Sequence, residues 1–172
     1  VKSTKLSLSE KNFLKKYKPW GVILFSRNIN NIDQAKKLTS SIRKIFNDPN
    51  YPILIDQEGG RVNRLKKIIS FDNLTAEFFG KKFSKNYLEF KIFFKLFIDK
   101  TSFLLKSIGV NINTMPVLDL KIKGSSNVIG DRSYSNDPKI VSKIGDICID
   151  FFRQNSIGTV IKHIPGHGLA KV

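Results

Sequence analysis

Three short runs carry the residue types that could do chemistry. The first is KHIPGHG, Lys162 to Gly168, which crowds an amine and two imidazoles directly behind an apolar segment. His163 and His167 have HxxxH spacing, which on a helix would suggest a metal. Pro165 and Gly166 lie between them and no third ligand is evident, so a zinc site is not expected. Lys162 and His163 are consecutive. In a regular strand they face opposite sides, and only a bulge or the strand end lets both line one pocket. His167 reads equally well as a residue that bonds its ring to loop backbone. The second run is DQEGGR, Asp56 to Arg61. Asp56 follows an apolar run, which places its carboxylate at a strand tip, where it can accept the paired hydroxyls of a sugar or polyol. Glu58 stands beside two glycines and is expected to pin the loop backbone. Gly59 and Gly60 suggest positive φ or close backbone approach, and neither GxGxxG nor a Walker pattern surrounds them. The third run is GDRSYSNDP, Gly130 to Pro138, where Arg132 could donate a fork of hydrogen bonds or pair with Asp131 or Asp137.

The elements that must hold these runs alternate. GVILF (21–25), YPILI (51–55), VNINTMPVLDL (110–120) and TVIKHI (159–164) read as buried strands. Pro116 predicts a bend or early end in the third. Asn31 and Gln34 resemble a capping box, and Ala35, Leu38, Ile42, Ile45 and Phe46 mark one face of a helix that Asp48-Pro49 closes. The span from Leu88 to Ile108 reads as a largely buried helix. Pro138 opens another, with Ile140, Val141, Ile144, Ile147, Cys148, Phe151 and Phe152 on its apolar face. The stretch from the Gly59-Gly60 loop to about Tyr87 gives no firm assignment. Strand–helix alternation predicts an α/β fold with a parallel sheet and crossover helices. Each strand ends in polar residues: Ser26-Arg27-Asn28, Asp56 to Arg61, Asp119, and Lys162-His163. Ligands of such folds bind at the carboxyl ends of the strands, so these tips mark the functional face.

Composition narrows the classes further. The 172 residues, 41% hydrophobic, suffice for one ordinary domain, and no composition shift or linker divides them. No apolar run approaches a membrane span, and the opening VKSTKLSLSE lacks the apolar region of a signal peptide. The first residue is not Met, so residues are expected to precede Val1. The single cysteine, Cys148, rules out an internal disulfide framework and reads as a small core hydrophobe. A formal charge of +16 raises nucleic-acid or anionic-membrane binding. The basic residues are scattered, however, with no sustained run and no aromatic-basic RNA-binding pattern.

Taken together, GVILFSRN, ILIDQEGGRVNRL, MPVLDL, IGDRSY with the following DP, and KHIPGHG resemble the glycoside hydrolase family 3 β-N-acetylhexosaminidases, the NagZ type. The blocks keep the family's order and spacing over nearly the whole chain. The resemblance implies a TIM (β/α)8 barrel of which residues 1–172 supply the first four strand–helix units, an N-terminal domain incomplete at its C-terminus. It implies a pocket of Asp56, Arg64, Arg132, Lys162 and His163 that holds a terminal N-acetylglucosamine, with Asp56 and the Lys162-His163 pair on its hydroxyls. The implied reaction is retaining hydrolysis through a covalent glycosyl-enzyme, on a saccharide or muropeptide of recycled cell wall, in the cytoplasm. No metal or organic cofactor, no nucleic acid and no membrane are implied as partners, and the full-length enzyme is expected to be a monomer. The family's general acid/base, a histidine in an Asp-Ser-His motif, and its aspartate nucleophile are expected beyond Val172, so the chain alone is expected to be inactive. A non-catalytic half-barrel that binds sugar or muropeptide is the alternative, and a basic nucleic-acid-binding protein is disfavoured.

Overall fold

The computed structural model of the chain describes residues 1–124 and 126–168. The end of the KHIPGHGLAKV run from Leu169, and Ser125 in the Gly/Ser/Asn loop, lie outside the described residues. The element order is α1 (Leu8–Tyr17), β1 (Val22–Leu24), α2 (Ile32–Phe46), β2 (Ile53–Ile55), α3 (Ala76–Lys85), α4 (Tyr87–Ser107), β3 (Ile112–Asn113), α5 (Pro138–Gln154) and β4 (Gly158–Thr159). All strand pairings are parallel and the sheet order is β1-β2-β3-β4. Neighbours in sequence are therefore neighbours in space. A doubly wound sheet reverses its order at a switch point, whereas a (β/α)8 barrel does not. The architecture is α/β, in the sequential order expected of four barrel units.

Local chemistry accounts for the boundaries. Asn31 caps α2 through the Gln34 amide at 2.9 Å, but the Gln34 side chain accepts from Asn30 rather than completing a capping box with Asn31. Asp137 caps α5, with Pro138 in its first turn. Two helices escape the sequence reading. α1 opens on a full capping box between Ser7 and Glu10, and α3 is capped by Thr75. A single Asn86 both closes α3 and caps α4, which explains why no Gly or Pro announces the break.

The third and fourth strands are shorter than expected. After Ile112–Asn113 and Gly158–Thr159 the regular ladder stops, and pairing resumes at a parallel bridge between Val117 and Lys162. There the Lys162 N–H donates to the Pro116 carbonyl at 3.2 Å and the Leu118 N–H to the Lys162 carbonyl at 2.6 Å. Pro116 has no N–H to contribute, so it interrupts the ladder.

The core forms where the helix faces meet the sheet: Leu38 and Ile42 of α2, Phe90, Phe94 and Ile98 of α4, and Ile144, Cys148 and Phe152 of α5, against Leu24, Ile53 and Ile55. Cys148 is fully buried, and burial pushes its thiol pKa up, as suits a packing residue. Helix α4 is not buried all round, contrary to expectation. Leu88, Ile92, Leu96 and Phe103 form an exposed stripe opposite the buried phenylalanines. A largely apolar sequence conceals this, because periodicity cannot separate two apolar faces. Among the described residues no helix is long and apolar enough to cross a membrane.

Two predictions follow from packing. A Cβ added at Gly80 on α3 would lie 1.7 Å from the Tyr134 carbonyl oxygen. Gly80→Ala is therefore expected to destabilise the fold by about 3 kcal/mol, the upper range for overpacking, measured as a lowered urea midpoint. An unchanged midpoint would show that the loop shifts freely. Second, β1 and β4 are open sheet edges, and Trp20, Val160, Ile161 and Ile164 near them are exposed. Residues 1–172 expressed alone are expected to self-associate, read by light scattering; a monodisperse monomer contradicts this.

Candidate active site

The polar strand tips converge on Lys162. Its ammonium lies 2.8 Å from Asp56 Oδ1, 2.5 Å from Glu58 Oε1 and 3.1 Å from Thr114 Oγ1. One side chain arriving from beyond β4 thus binds the tip of β2 and the residue after β3. Thr114 also donates to Asp56. Arg64 reaches the other oxygen of Asp56, at 3.6 Å, and lies over the Phe25 ring that ends the β1 segment. Arg132 donates a two-pronged pair to Glu58, Nε to Oε2 at 2.8 Å and Nη2 to Oε1 at 2.9 Å.

Two parts of the sequence reading change here. Arg132 does form a fork, but its carboxylate partner is Glu58; Asp131 pairs with Arg61 and Asp137 caps α5. Glu58 was expected to pin the loop. Its backbone does so, donating to the Val62 carbonyl at 3.0 Å. Its nearly buried side chain, however, is the common acceptor for Arg132 and Lys162.

The backbone that presents these groups is set by a second ring of polar contacts. Asn113 of β3 clasps the Gln57 peptide, accepting from its N–H and donating to its carbonyl. The Gln57 side chain accepts from the Arg64 and Leu65 amides, which aims the Arg64 segment inward. Gly59 sits at φ 89°, and a Cβ there would lie 2.3 Å from the Leu74 carbonyl oxygen, so positive φ and close approach are both realised. Arg61 donates to the carbonyls of Asn127, Val128 and Ile129, pinning the loop that delivers Arg132.

His163 lies beside this cluster. The Lys162–His163 peptide is cis; Lys162 turns to Asp56 while the His163 Nδ1 lies 2.6 Å from Asp119 Oδ2. Asp119 also accepts from the backbone N–H groups of His163, His167 and Gly168. Asp119 is a strand-tip residue that sequence reasoning noted without assigning a role. The His167 amide is held, whereas its buried Nδ1 has no partner among the described residues. Among the described residues no three His, Cys, Asp or Glu side chains are grouped to hold a metal. A concavity between residues 4–6, α2 and Lys67-Ile68 shares no residue with the cluster.

The five residues singled out from the sequence, Asp56, Arg64, Arg132, Lys162 and His163, are therefore brought to one end of the sheet. Asp56, Arg64 and His163 keep about a fifth to three-tenths of their side-chain surface open, so they can touch a ligand. Glu58 and Asp119 are enclosed and act on the others. Burial works to raise the pKa of Asp56, but donation from Lys162 and Thr114 and the charge of Arg64 hold it below the usual carboxylate range. Burial likewise opposes ionisation of Asp119, and its donors His167 and His163 outweigh it. For Arg132, burial works to lower the pKa, and the Glu58 pair raises it above the ordinary value. Both aspartates therefore bind protons more weakly folded than unfolded. Their contribution is present above the unfolded value of about 4 and is lost as pH falls through the lower folded values. Stability is expected to be level near neutrality and to fall below about pH 4, followed by urea midpoints across pH. A level profile down to strong acid contradicts the assignment.

With this geometry in view, the comparisons are specific. Residues 1–172 match the family model described as the glycosyl hydrolase family 3 N terminal domain. The chain is 38% identical over 168 residues to a Beta-hexosaminidase of Hydrogenovibrio crunogenus, covering 98% of this chain and 46% of that protein. It superposes on the crystal structure of NagZ from Neisseria gonorrhoeae in complex with zinc ion with a TM-score of 0.87 at 28% identity, covering 99% of this chain and 50% of that one. The same protein in complex with N-trifluoroacetyl-D-glucosamine gives a TM-score of 0.86 at 29% identity, covering 98% and 49%. The chain spans about half the length of these relatives. Strand order, strand-tip cluster and family match agree: this chain belongs to glycosyl hydrolase family 3, as its N-terminal domain.

Proposed function

We propose that the chain is the sugar-holding part of a β-N-acetylhexosaminidase that removes terminal β-linked N-acetylglucosamine with retention of configuration. The observation that carries this reading is the convergence of Asp56, Arg64, Arg132, Lys162 and His163 on one strand-tip face. It is supported by the likeness to a structure whose ligand is an N-acylated glucosamine. Asp56, held ionised, offers oxygen acceptors to adjacent sugar hydroxyls. Arg64 and Lys162 neutralise it and can donate to the same ring. Arg132 and Lys162 are positioned through Glu58.

None of these groups serves as acid and nucleophile in this scheme, because Asp56 and Glu58 are both committed to cationic partners. A retaining glycosidase needs two carboxyl-type roles across the scissile bond, one protonating and one attacking. The family resemblance puts the acid/base histidine and the nucleophilic aspartate in the remaining half of the protein. The substrate class we assign is a muropeptide or related cell-wall saccharide ending in N-acetylglucosamine, handled in the cytoplasm by a monomer without metal or organic cofactor.

The test is release of p-nitrophenol from p-nitrophenyl N-acetylglucosaminide. The full-length protein is expected to be active, and residues 1–172 alone inactive. Asp56→Asn in the full-length protein is expected to lower kcat/KM by about a hundredfold, the loss of roughly 3 kcal/mol of transition-state binding. Hydrolysis by the isolated chain, or an unaffected Asp56→Asn enzyme, overturns the assignment. Binding of N-acetylglucosamine by a full-length protein that never hydrolyses it would instead favour a non-catalytic sugar-binding protein.

A further inference from the structure

Asp119 lies outside the set of residues that face the sugar, yet it is the most enclosed carboxylate at the strand tips, with 2% of its side chain exposed. Its two oxygens divide their work. Oδ2 takes the His163 Nδ1 at 2.6 Å and the His163 N–H at 3.2 Å, while Oδ1 takes the His167 N–H at 2.5 Å and the Gly168 N–H at 3.3 Å. Its own carbonyl accepts from the Ser133 hydroxyl at 2.7 Å, in the segment just after Arg132.

We propose that Asp119 is a positioning residue that fixes the His163 imidazole with its proton on Nδ1 and Nε2 free for the sugar, and ties that ring to the loop running from the pocket through Gly168. The ring chemistry follows from the acceptor. An ionised carboxylate can only accept, so the nitrogen against it must carry hydrogen. Four donors around the carboxylate keep it ionised despite burial. A neutral imidazole held in this way presents an Nε2 lone pair to a hydroxyl hydrogen. An untethered ring exchanges tautomers and orientations, and offers the wrong atom part of the time. Nε2 has no hydrogen-bond partner among the described residues, and the side chain is 29% exposed, so that nitrogen is available to a ligand.

The sugar-facing part of this proposal rests on the function proposed above; the tautomer part does not. Asp119→Asn separates positioning from plain support. The amide oxygen can keep the His167 and Gly168 bonds, and its NH2 takes the place of Oδ2. That group donates to Nδ1, which moves the ring proton to Nε2, at the cost of the long bond from the His163 N–H. The experiment is 15N NMR of histidine-labelled full-length protein in mildly alkaline solution, with a His163→Asn variant to identify the His163 signals by their loss. Wild type is expected to show His163 protonated at Nδ1 and bare at Nε2, and Asp119→Asn the reverse. N-acetylglucosamine affinity by calorimetry is expected to fall roughly tenfold in the Asn variant, the worth of one hydrogen bond to a bound hydroxyl. A wild-type ring protonated at Nε2, an unchanged tautomer in the variant, or an inverted tautomer with unchanged affinity overturns the proposal. If the variant does not fold, the wild-type spectrum decides. If wild type binds no N-acetylglucosamine, the proposed function falls, and the two tautomers still decide whether Asp119 holds the ring.

Discussion

The ammonium of Lys162 is the point on which the site depends. Three residues from the ends of two strands deliver charge or hydroxyl to it: Asp56 and Glu58 past β2, and Thr114 past β3. Without a cation between them, two carboxylates two residues apart would face each other in a half-buried space, where like charges resist ionising together. With it, Asp56 is held below the usual carboxylate range, and Glu58 can also orient Arg132. Such an arrangement is poor as a source of stability, because desolvating these charges offsets most of their attraction. Its value is preorganisation: the acceptors and donors for a sugar are already aimed before a ligand arrives.

The surrounding fold serves that demand. Parallel strands in sequential order bring every carboxyl end to the same side, so residues more than a hundred positions apart, such as Asp56 and Lys162, meet. Amide side chains then do what the short strands cannot. Asn113 extends the β2–β3 pairing to Gln57, and Gln57 carries the geometry on to Arg64. Each link joins a strand tip to a loop, which explains how two- and three-residue strands position a site rigidly.

The sequence showed the alternation of strands and helices, because buried parallel strands are short apolar runs and α2 and α5 have clean one-sided periodicity. The site residues were legible for two different reasons. Asp56, Lys162 and His163 stood out at strand ends, whereas Arg64 entered only through the resemblance to a family. What was missed has physical causes. The Ser7–Glu10 capping box was visible but preceded a helix with few buried residues, so no apolar face advertised it. The α3–α4 boundary is an Asn serving both helices. Glu58 looked like a loop residue because its partners come from Arg132 and Lys162, far away in sequence.

The division between the two sources of information is therefore one of range. Hydrophobic spacing, caps and the polar residues after each apolar run act within a few positions, and the sequence by itself determined the α/β class, the order of units and the functional face. Pairing of charges is decided by distance in space. Only the tertiary structure could show that Arg132 belongs to Glu58, that Lys162 spans two carboxylates, and that Asp119 holds His163 and the loop after it. A carboxylate accepts from whichever donor the fold brings within about 3 Å, and nothing in the chain's local order names that donor.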